Sequence, residues 1–317
     1  MMDYSQIQTQ IQNRLQTPYS SVFNLTGKTA AVFGVANRDS IAWHIANALH
    51  QAGAKVIIGY QQRFLSRVRP LLDEQPEIYG HRCDVTHPDE LERFFQLFNL
   101  VGLDIVVHSI AYGSPPVFTE PPSQVNAIDF AETLEVSAHS LAKIVRYSKP
   151  YLRPWSSVLT LTFQASQRAM PMYGMMGVAK AALESMVRYL SIELGENRTR
   201  INAISAGPIE TLASLSEVIA FQKKSELLQE TLNTHSTKTP TQSTDATHAQ
   251  TEPANTLQQA KHAWHDIQEH FAKHSPIPEK LVARDIADSA LFFASDASRK
   301  ITGQILHVDC GFSACSL

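Results

Sequence analysis

The sequence has few cysteines, no excess of basic residues and no long apolar run. Three cysteines, Cys83, Cys310 and Cys315, form neither a CxxC pair nor an even disulfide framework, which indicates structural thiols in a reducing compartment. The formal charge of −3 at pH 7 gives no attraction to nucleic acid or to an anionic membrane surface. No segment has the length of a membrane span, and the start has no secretory leader. We therefore expect a soluble, cytoplasmic protein that binds neither nucleic acid nor membrane.

The chain does have the periodicity of a parallel sheet covered by helices. From Thr29 onward, short β-branched or apolar runs alternate with longer stretches of helical spacing. Runs such as LDIVVHS are apolar nearly throughout, which is typical of strands buried on both faces. The pattern predicts one α/β domain, a Rossmann-like doubly wound parallel sheet of seven strands. The strands are predicted near Thr29–Gly34, Lys55–Gly59, Ile78–Arg82, Asp104–Ser109, Ser157–Phe163, Arg200–Ile204 and Gln304–Val308.

Two segments do not fit this βα pattern. Residues 1–24 form a Gln-rich leader, which we interpret as a mobile N-terminal extension before a domain that spans 25–317. A second segment, at about 222–261, is rich in Thr, Gln, Ser and Pro and poor in large apolar residues. We predict that this segment is a mobile polar insertion.

The turn after the first strand is a candidate phosphate site, although GxGxxG is absent. Gly34 ends the strand, and Ser40 and Ile41 begin a helix whose free N–H groups favour a pyrophosphate. An ordinary strand-turn-helix, with Ser40 as the N-cap, explains the same residues equally well. The segment alone does not decide between the two.

Polar residues follow the next three strands, at the edge where open parallel sheets bind ligands. Gln61 lies where many NAD enzymes place a carboxylate on the adenosine ribose, and an amide can also bind that ribose. Because Gln61 does not repel a 2′-phosphate and Arg63 follows it, NADH is favoured but NADPH stays open. Asp84 and Ser109 follow the third and fourth strands. Each is an ordinary turn residue if taken singly, but their common placement indicates a site.

A tyrosine and a lysine in one predicted helix are the candidate catalytic pair. Tyr173 and Lys180 are seven residues apart, two helical turns, and therefore lie on one face. A nearby ammonium favours the phenolate form of a tyrosine and can also donate to ribose hydroxyls. The alternative is an unrelated pair of solvated surface residues.

Four motifs together indicate a family. They are Gly34-x5-Ser40-x-Ala42, HSIA at 108–111, Tyr173-x6-Lys180 and INAISAGPIETLA at 201–213. On these motifs the chain resembles the short-chain dehydrogenase/reductase superfamily, and within it the enoyl-acyl-carrier-protein reductases of bacterial fatty-acid synthesis, from about Leu25 to Phe312. Most of that superfamily carries Tyr-x3-Lys. Because Gly177 occupies that lysine position here, the wider spacing points to enoyl reduction.

The resemblance implies an NADH-dependent enzyme, with NADPH possible, that transfers hydride to the β-carbon of a trans-2-enoyl thioester and protonates the α-carbon. Tyr173 would stabilise the enolate, and Lys180 would hold the ribose. It also implies a substrate linked to acyl carrier protein and a homotetramer. The i, i+4 spacing of His270 and His274 is too weak a pattern to predict a metal site, so no metal is expected. The cofactor contacts would be Gly34, Ser40, Ile41, Gln61, Asp84, Val85, Ser109, Ile110, Lys180, Ile209, Glu210, Thr211, Leu212 and Ala213, and the substrate contacts Gly113, Phe163 and Met176.

Two residues depart from the pattern of that family. Phe163 stands where many members have a second tyrosine, and Cys310 stands where a glycine is usual. A side chain at position 310 would be strained if the backbone there needs a positive φ. The departures leave two alternatives open: a reductase of another unsaturated acyl or carbonyl substrate, and a cofactor-binding regulatory paralogue with little turnover.

Overall fold

The sheet is parallel throughout and has seven strands. The computed structural model describes residues 22–170, 173–236 and 253–315. The strand order is β3-β2-β1-β4-β5-β6-β7, which confirms the predicted fold class. Each predicted strand is present, and the bounds are β1 Thr29–Phe33, β2 Lys55–Tyr60, β3 Tyr79–Arg82, β4 Leu103–His108, β5 Leu152–Thr162, β6 Arg200–Ala206 and β7 Ile305–Val308.

Helices cover both faces of the sheet. Every residue of β1, β4 and β6 is buried, as expected for strands between two helical layers. The helices are α1 Ile41–Gln51, α2 Leu65–Glu74, α3 Pro88–Gln96, α4 Pro115–Thr119, α5 Ala127–Leu134, α6 Ser140–Ser148, α7 Gly174–Gly195, α8 Leu212–Ser236, α9 Pro253–His274 and α10 Ala283–Ala294. Helices α1 and α10 pack on one face, and α3, α6 and α7 pack on the other. Among the described residues, no helix is both long enough and apolar enough to cross a bilayer.

Strand β5 begins earlier than the sequence predicts. It starts at Leu152, and its pairing with β4 is irregular between Leu103 and Ile105. Trp155 lies in this irregular part with a φ of 71°. The polar and proline residues before Ser157 interrupt the apolar run from which this strand is predicted, so the predicted strand begins at Ser157. The bulged start accommodates them at the exposed end of the strand.

The strand order reverses between β1 and β4. From β1 the chain builds outward to β2 and β3, then returns to β4 and builds to β7 on the other side. Loops that leave the carboxyl ends of β1 and β4 therefore diverge, and they open a crevice at that edge. The ligand-binding end of the sheet is fixed by this topology.

The predicted insertion is helical at both of its ends. Helix α8 continues to Ser236, and α9 begins at Pro253, so the expectation of a structureless segment is wrong for those residues. The two helices pack through Leu215 and Val218 of α8 against Ala260 and Trp264 of α9. These apolar residues lie mostly just outside the polar segment, on both sides of it, and they form one small core. Residues 237–252, and 1–21 of the predicted extension, lie outside the described residues.

Candidate active site

A cavity of about 1500 Å³ opens at the carboxyl edge of the sheet. It begins at the crevice between β1 and β4 and extends under α8 and α9. Nearly every predicted site residue lines it, although the predictions came from segments far apart in the chain. The lining includes Gly34, Ser40, Ile41, Gln61, Asp84, Val85, Ser109, Ile110, Gly113, Phe163, Tyr173, Met176, Lys180, Ile209, Thr211, Leu212 and Ala213.

Glu210 is the predicted site residue that the structure does not bring into this cavity. Its carboxylate lies 3.9 Å from the Nζ atom of Lys261 on α9, and both side chains are exposed to solvent. Ile209 and Thr211 line the cavity on either side of it.

The turn after β1 depends on glycine at position 34. Gly34 has a φ of 105°, and a Cβ atom there would lie 1.9 Å from the carbonyl oxygen of Ser109. The ends of β1 and β4 are therefore closer together than any side chain allows. This leaves a bare backbone surface at the point where the crevice opens.

Ser40 occupies the N-cap position of α1, but its side chain does not cap that helix. Its hydroxyl oxygen accepts from the backbone N–H groups of Ala36 and Asn37, each at 3.0 Å, and its hydroxyl donates to Asn37 Oδ1. Ser40 thus stands at the predicted N-cap position, and its hydroxyl holds the preceding turn instead of the helix end. The N–H groups of the first helical turn stay available to an anion in the cavity.

A chain of hydrogen bonds joins the ends of β2 and β3. Arg63 Nε donates to Gln61 Oε1, and Gln61 Nε2 donates to Asp84 Oδ2, both at 2.9 Å. Thr86 donates to the other Asp84 oxygen from its backbone N–H and from its hydroxyl. Although burial opposes it, the hydrogen bonds from Thr86 and Gln61 hold the pKa of Asp84 below its usual value. We call these four residues the adenosine end of the cavity, after the expectation for Gln61.

Tyr173 and Lys180 lie at the opposite end, as their spacing predicts. Tyr173 immediately precedes α7, and Lys180 is buried within its second turn. Lys180 Nζ donates to the carbonyl oxygen of Leu161 at 3.1 Å. Burial lowers the pKa of Lys180 to about 8, against the opposing charges of Glu217 and Glu184.

Lys180 is not among the groups that shift the pKa of Tyr173, so its expected effect on the phenol stays a prediction. Burial raises the pKa of Tyr173 well above its ordinary value, and the charge of Glu217 raises it further. The phenol therefore keeps its proton at neutral pH. The Tyr173 hydroxyl can therefore donate a hydrogen bond into the cavity that it lines.

Gly177 explains why the lysine is seven residues from the tyrosine and not four. A Cβ atom at Gly177 would lie 2.7 Å from the carbonyl oxygen of Ala165. Helix α7 packs so closely on this loop that no side chain fits at that position. Lys180, one turn further along, reaches the cavity instead.

Phe163 forms an apolar wall beside Tyr173. The centroids of the two rings are 4.9 Å apart, and Phe118 closes the other side of Tyr173 at 6.4 Å. A tyrosine at position 163 would place a second hydroxyl in this part of the cavity, and the chain lacks it. The other departure, Cys310, has a φ of 56°, so the backbone there does have the conformation that favours glycine.

Two residues at this end were not identified from the sequence. His108 ends β4 and is buried between hydroxyls, with Nδ1 2.8 Å from Thr160 Oγ1 and Nε2 2.8 Å from Ser140 Oγ. Burial lowers its pKa to about 3, so it is neutral. Glu217 of α8 lines the cavity, and burial raises the pKa of its carboxyl to about 8. A lone glutamate within the apolar stretch ASLSEVIAF was the available signal for Glu217.

The fold and the cavity define a class of protein. A doubly wound parallel sheet whose ligand crevice lies at the reversal of strand order is the arrangement in which such α/β proteins bind dinucleotides. The family model described as enoyl-(acyl carrier protein) reductase matches residues 34–249 and 249–313. The chain belongs to this family.

Individual relatives agree with that assignment. The NADH-dependent enoyl-acyl-carrier-protein reductase of Nostoc sp. is 33% identical over 297 residues, which is 92% of this chain and 98% of the relative. The crystal structure of the NADH enzyme of Aquifex aeolicus superposes with a TM-score of 0.74 at 30% identity, over 92% of this chain and 99% of that one. The Bacillus cereus enzyme, solved with NADP⁺ and indole naphthyridinone, has a TM-score of 0.74 at 31% identity, over 93% and 99% of the two chains.

Proposed function

We propose that this chain reduces trans-2-enoyl thioesters, presented on an acyl carrier protein, to saturated acyl thioesters with NADH as the preferred reductant. One observation carries the proposal: a single cavity joins the glycine-dependent turn at Gly34 to the half-buried Tyr173 and the buried Lys180. The first part fits a pyrophosphate, and the second part supplies a proton donor and a cation. The names of the relatives supply the substrate and the place in fatty-acid synthesis.

The residues present fit a nicotinamide dinucleotide. The backbone surface at Gly34, which a Cβ atom would fill, accommodates a pyrophosphate beside the first turn of α1. Gln61 and Asp84 would bind the adenosine, and Lys180 the nicotinamide ribose. Because the hydrogen bonds to Asp84 keep it ionised at neutral pH, its charge disfavours a 2′-phosphate next to Gln61 and supports NADH over NADPH. When bound, the reduced nicotinamide supplies a hydride to the β-carbon of the enoyl group.

Tyr173 stabilises the negative charge that hydride addition creates on the thioester oxygen. Its phenol is protonated and lines the same cavity as Lys180, where a preplaced donor stabilises charge that develops during the reaction. Lys180 is held by the carbonyl oxygen of Leu161, which fixes its ammonium group toward the ribose. Phe163 and Met176 form an apolar surface for the acyl chain.

We further propose that the protein acts as a cytoplasmic homotetramer. Helix α7 exposes Val178, Tyr189 and Ile192 on one face, and the last two are each 74% exposed. An apolar stripe of this kind on one helix is typical of an interface. Analytical ultracentrifugation of the protein and of Ile192→Glu tests this point: the wild type is expected at four times the chain mass, and a monomeric wild type would contradict it.

The activity is tested by following NADH and NADPH oxidation with a crotonyl thioester. Wild type is expected to turn over with NADH faster than with NADPH, and Tyr79→Phe is a matched control, because Tyr79 is exposed on the edge strand β3 and lies outside the cavity. A ketone substrate, such as an acetoacetyl thioester, is the comparison. No wild-type turnover of the enoyl substrate with either cofactor would contradict the proposal, and preference for the ketone would favour the alternative reductase.

A further inference from the structure

Lys180 and Glu184 lie one turn apart on the buried face of α7. Each residue is 5% exposed, and residues at i and i+4 are neighbours on one face of a helix. Lys180 Nζ donates to the carbonyl oxygen of Leu161 at 3.1 Å. The hydroxyl of the next residue, Thr162, donates to Glu184 Oε1 at 2.8 Å. The two charged side chains are therefore attached to consecutive residues at the carboxyl end of β5.

Glu184 also binds the far end of the loop that leaves β5. The hydroxyl of Ser166 donates to the same Oε1 atom that accepts from Thr162. Between these two attachments the loop carries Phe163, whose ring centroid lies 4.9 Å from that of Tyr173. One buried carboxyl group thus holds both ends of the loop that forms the apolar wall of the reaction end.

The charged and titratable groups around Lys180 differ in what they can supply. Burial of an ammonium group is costly unless an opposite charge lies near it. Glu217 of α8 and Glu184 of α7 both act on Lys180, but the pKa of Glu217 is itself raised to about 8, so it carries little charge below that pH. His108, at the end of β4, is neutral because burial lowers its pKa to about 3, and Tyr173 is protonated.

We propose that Glu184 is a positioning residue of the reaction end, which holds the loop at 162–166 in place and gives the buried Lys180 its counter-charge. The assignment rests on the proposed function, in which Lys180 binds the ribose of the cofactor. Glu184 lies behind the cavity wall and not in it. It acts on the substrate through the position of Phe163, and on the cofactor through the ammonium charge of Lys180.

Glu184→Gln and Glu184→Leu separate the two roles. Because both hydroxyls donate to Oε1, glutamine keeps the two hydrogen bonds and loses the charge, whereas leucine loses both. At pH 6, where Lys180 is largely charged in every variant, kcat of Glu184→Leu should fall about tenfold or more, since small displacements at a reaction site are costly. Glu184→Gln should stay within about twofold of wild type there, because its hydrogen bonds are kept.

The counter-charge is tested by a titration of Lys180 that needs neither cofactor nor turnover. The ¹³C NMR signal of its ε-carbon, assigned through Lys180→Met, gives the protonation midpoint. Wild type should titrate near pH 8, and Glu184→Gln about one pH unit lower. At pH 8 the charged fraction of Lys180 would then fall from about a half to about a tenth, so kcat/KM for NADH should be about fivefold below wild type.

Glu193→Gln is the matched control for both measurements. Glu193 is an exposed glutamate near the end of α7 that is ion-paired with Lys149, so neither kcat nor the midpoint of Lys180 should change. Ser166→Ala is a milder variant that should fold even if Glu184→Leu does not. It removes one hydrogen bond and leaves the charge, so kcat should fall about threefold with the midpoint unchanged.

The proposal is wrong if the midpoint of Lys180 in Glu184→Gln equals that of wild type. It is also wrong if Glu184→Leu and Ser166→Ala keep the wild-type kcat at pH 6, or if glutamine at position 184 lowers kcat there as much as leucine does. That last pattern, with an unchanged midpoint, is what a role in stability alone would give. No wild-type turnover of the enoyl thioester would overturn the proposed function, while the titration would still decide whether Glu184 is the counter-charge.

Discussion

The two ends of the cavity are built in different ways. At the adenosine end, Arg63, Gln61, Asp84 and Thr86 form a continuous chain of hydrogen bonds, so each polar group has its partner before any ligand arrives. At the reaction end, Lys180 has one hydrogen bond, to Leu161. Among the described residues, the hydroxyl of Tyr173 and the carboxyl of Glu217 have none.

This difference separates recognition from chemistry. A satisfied network is rigid and positions a ligand, but its groups keep nearly ordinary protonation states. Groups that are buried without partners have strongly shifted pKa values, and such groups are concentrated where protons move. Under the proposed function, the adenosine end positions the cofactor, while the reaction end keeps its hydrogen-bonding capacity for the substrate.

The largest expected effect is at the reaction end. Tyr173→Phe removes the donor to the enolate oxygen, and kcat should fall about 10²- to 10³-fold with little change in KM for NADH. Steady-state kinetics with a crotonyl thioester measures both. The distinction between the two ends is wrong if Tyr79→Phe lowers kcat as much as Tyr173→Phe does. It is also wrong if Tyr173→Phe changes only KM for NADH.

A second change tests how strictly the cofactor turn is constrained. Gly34→Ala places a Cβ atom against the carbonyl of Ser109 in a backbone with positive φ, so the free energy of unfolding should fall by about 3 kcal/mol. Urea unfolding measures the loss. Gly195→Ala is a suitable control, because a Cβ atom there meets nothing within 4 Å. Equal stability of the two variants would show that the turn relaxes more easily than its geometry implies.

The two ends should also respond to acid at different pH values. The pKa of His108, beside the reaction end, is about 3 in the folded state against 6.5 for an ordinary histidine. The unfolded chain therefore binds more protons between these values. The contribution of His108 to the free energy of unfolding is fully present above about pH 6.5. It is lost as the pH falls, by up to about 1.4 kcal/mol per pH unit.

Asp84 has a lowered pKa in the folded state. Its contribution to the free energy of unfolding is therefore present above the pKa of the unfolded chain, about 3.9, and is lost only as the pH falls from that value through the lower folded pKa. Urea midpoints of wild type and His108→Gln at pH 7 and pH 5 separate the two groups, because Asp84 stays ionised over that range. Wild type should lose more stability than the variant. An identical loss in both would assign the acid sensitivity elsewhere.

The smallest expected effect is an increase in kcat from a change at the reaction end. Phe163→Tyr adds a hydroxyl beside Tyr173, whose ring centroid is 4.9 Å from that of Phe163. A second donor near the enolate oxygen should raise kcat several-fold, up to about tenfold, the value of one ordinary hydrogen bond. The same change in a Tyr173→Phe background shows whether the new hydroxyl acts independently. A decrease in kcat would mean that the acyl chain needs the apolar wall more than the reaction needs the donor.

Features that depend on local spacing were accessible from the sequence. The alternation of buried strands and helices specified the sheet, because each period follows directly from backbone geometry. Tyr173 and Lys180 could be paired because two helical turns place them on one face, and the motifs around Gly34 and HSIA identified the cofactor edge. Cys310 was flagged from sequence alone, and its φ of 56° confirms that the position has a glycine-like conformation.

Other features arose only when segments distant in the chain came together. The small core between α8 and α9 joins two separate segments, and the exclusion of a side chain at Gly177 depends on the carbonyl of Ala165. The protonated state of Tyr173 is set by burial, which neighbouring residues in the sequence do not determine. The sequence by itself determined the sheet and the catalytic candidates, since those rest on periodicity and spacing. Tertiary structure decided which groups are desolvated and which face the cavity, because burial and charge act through space.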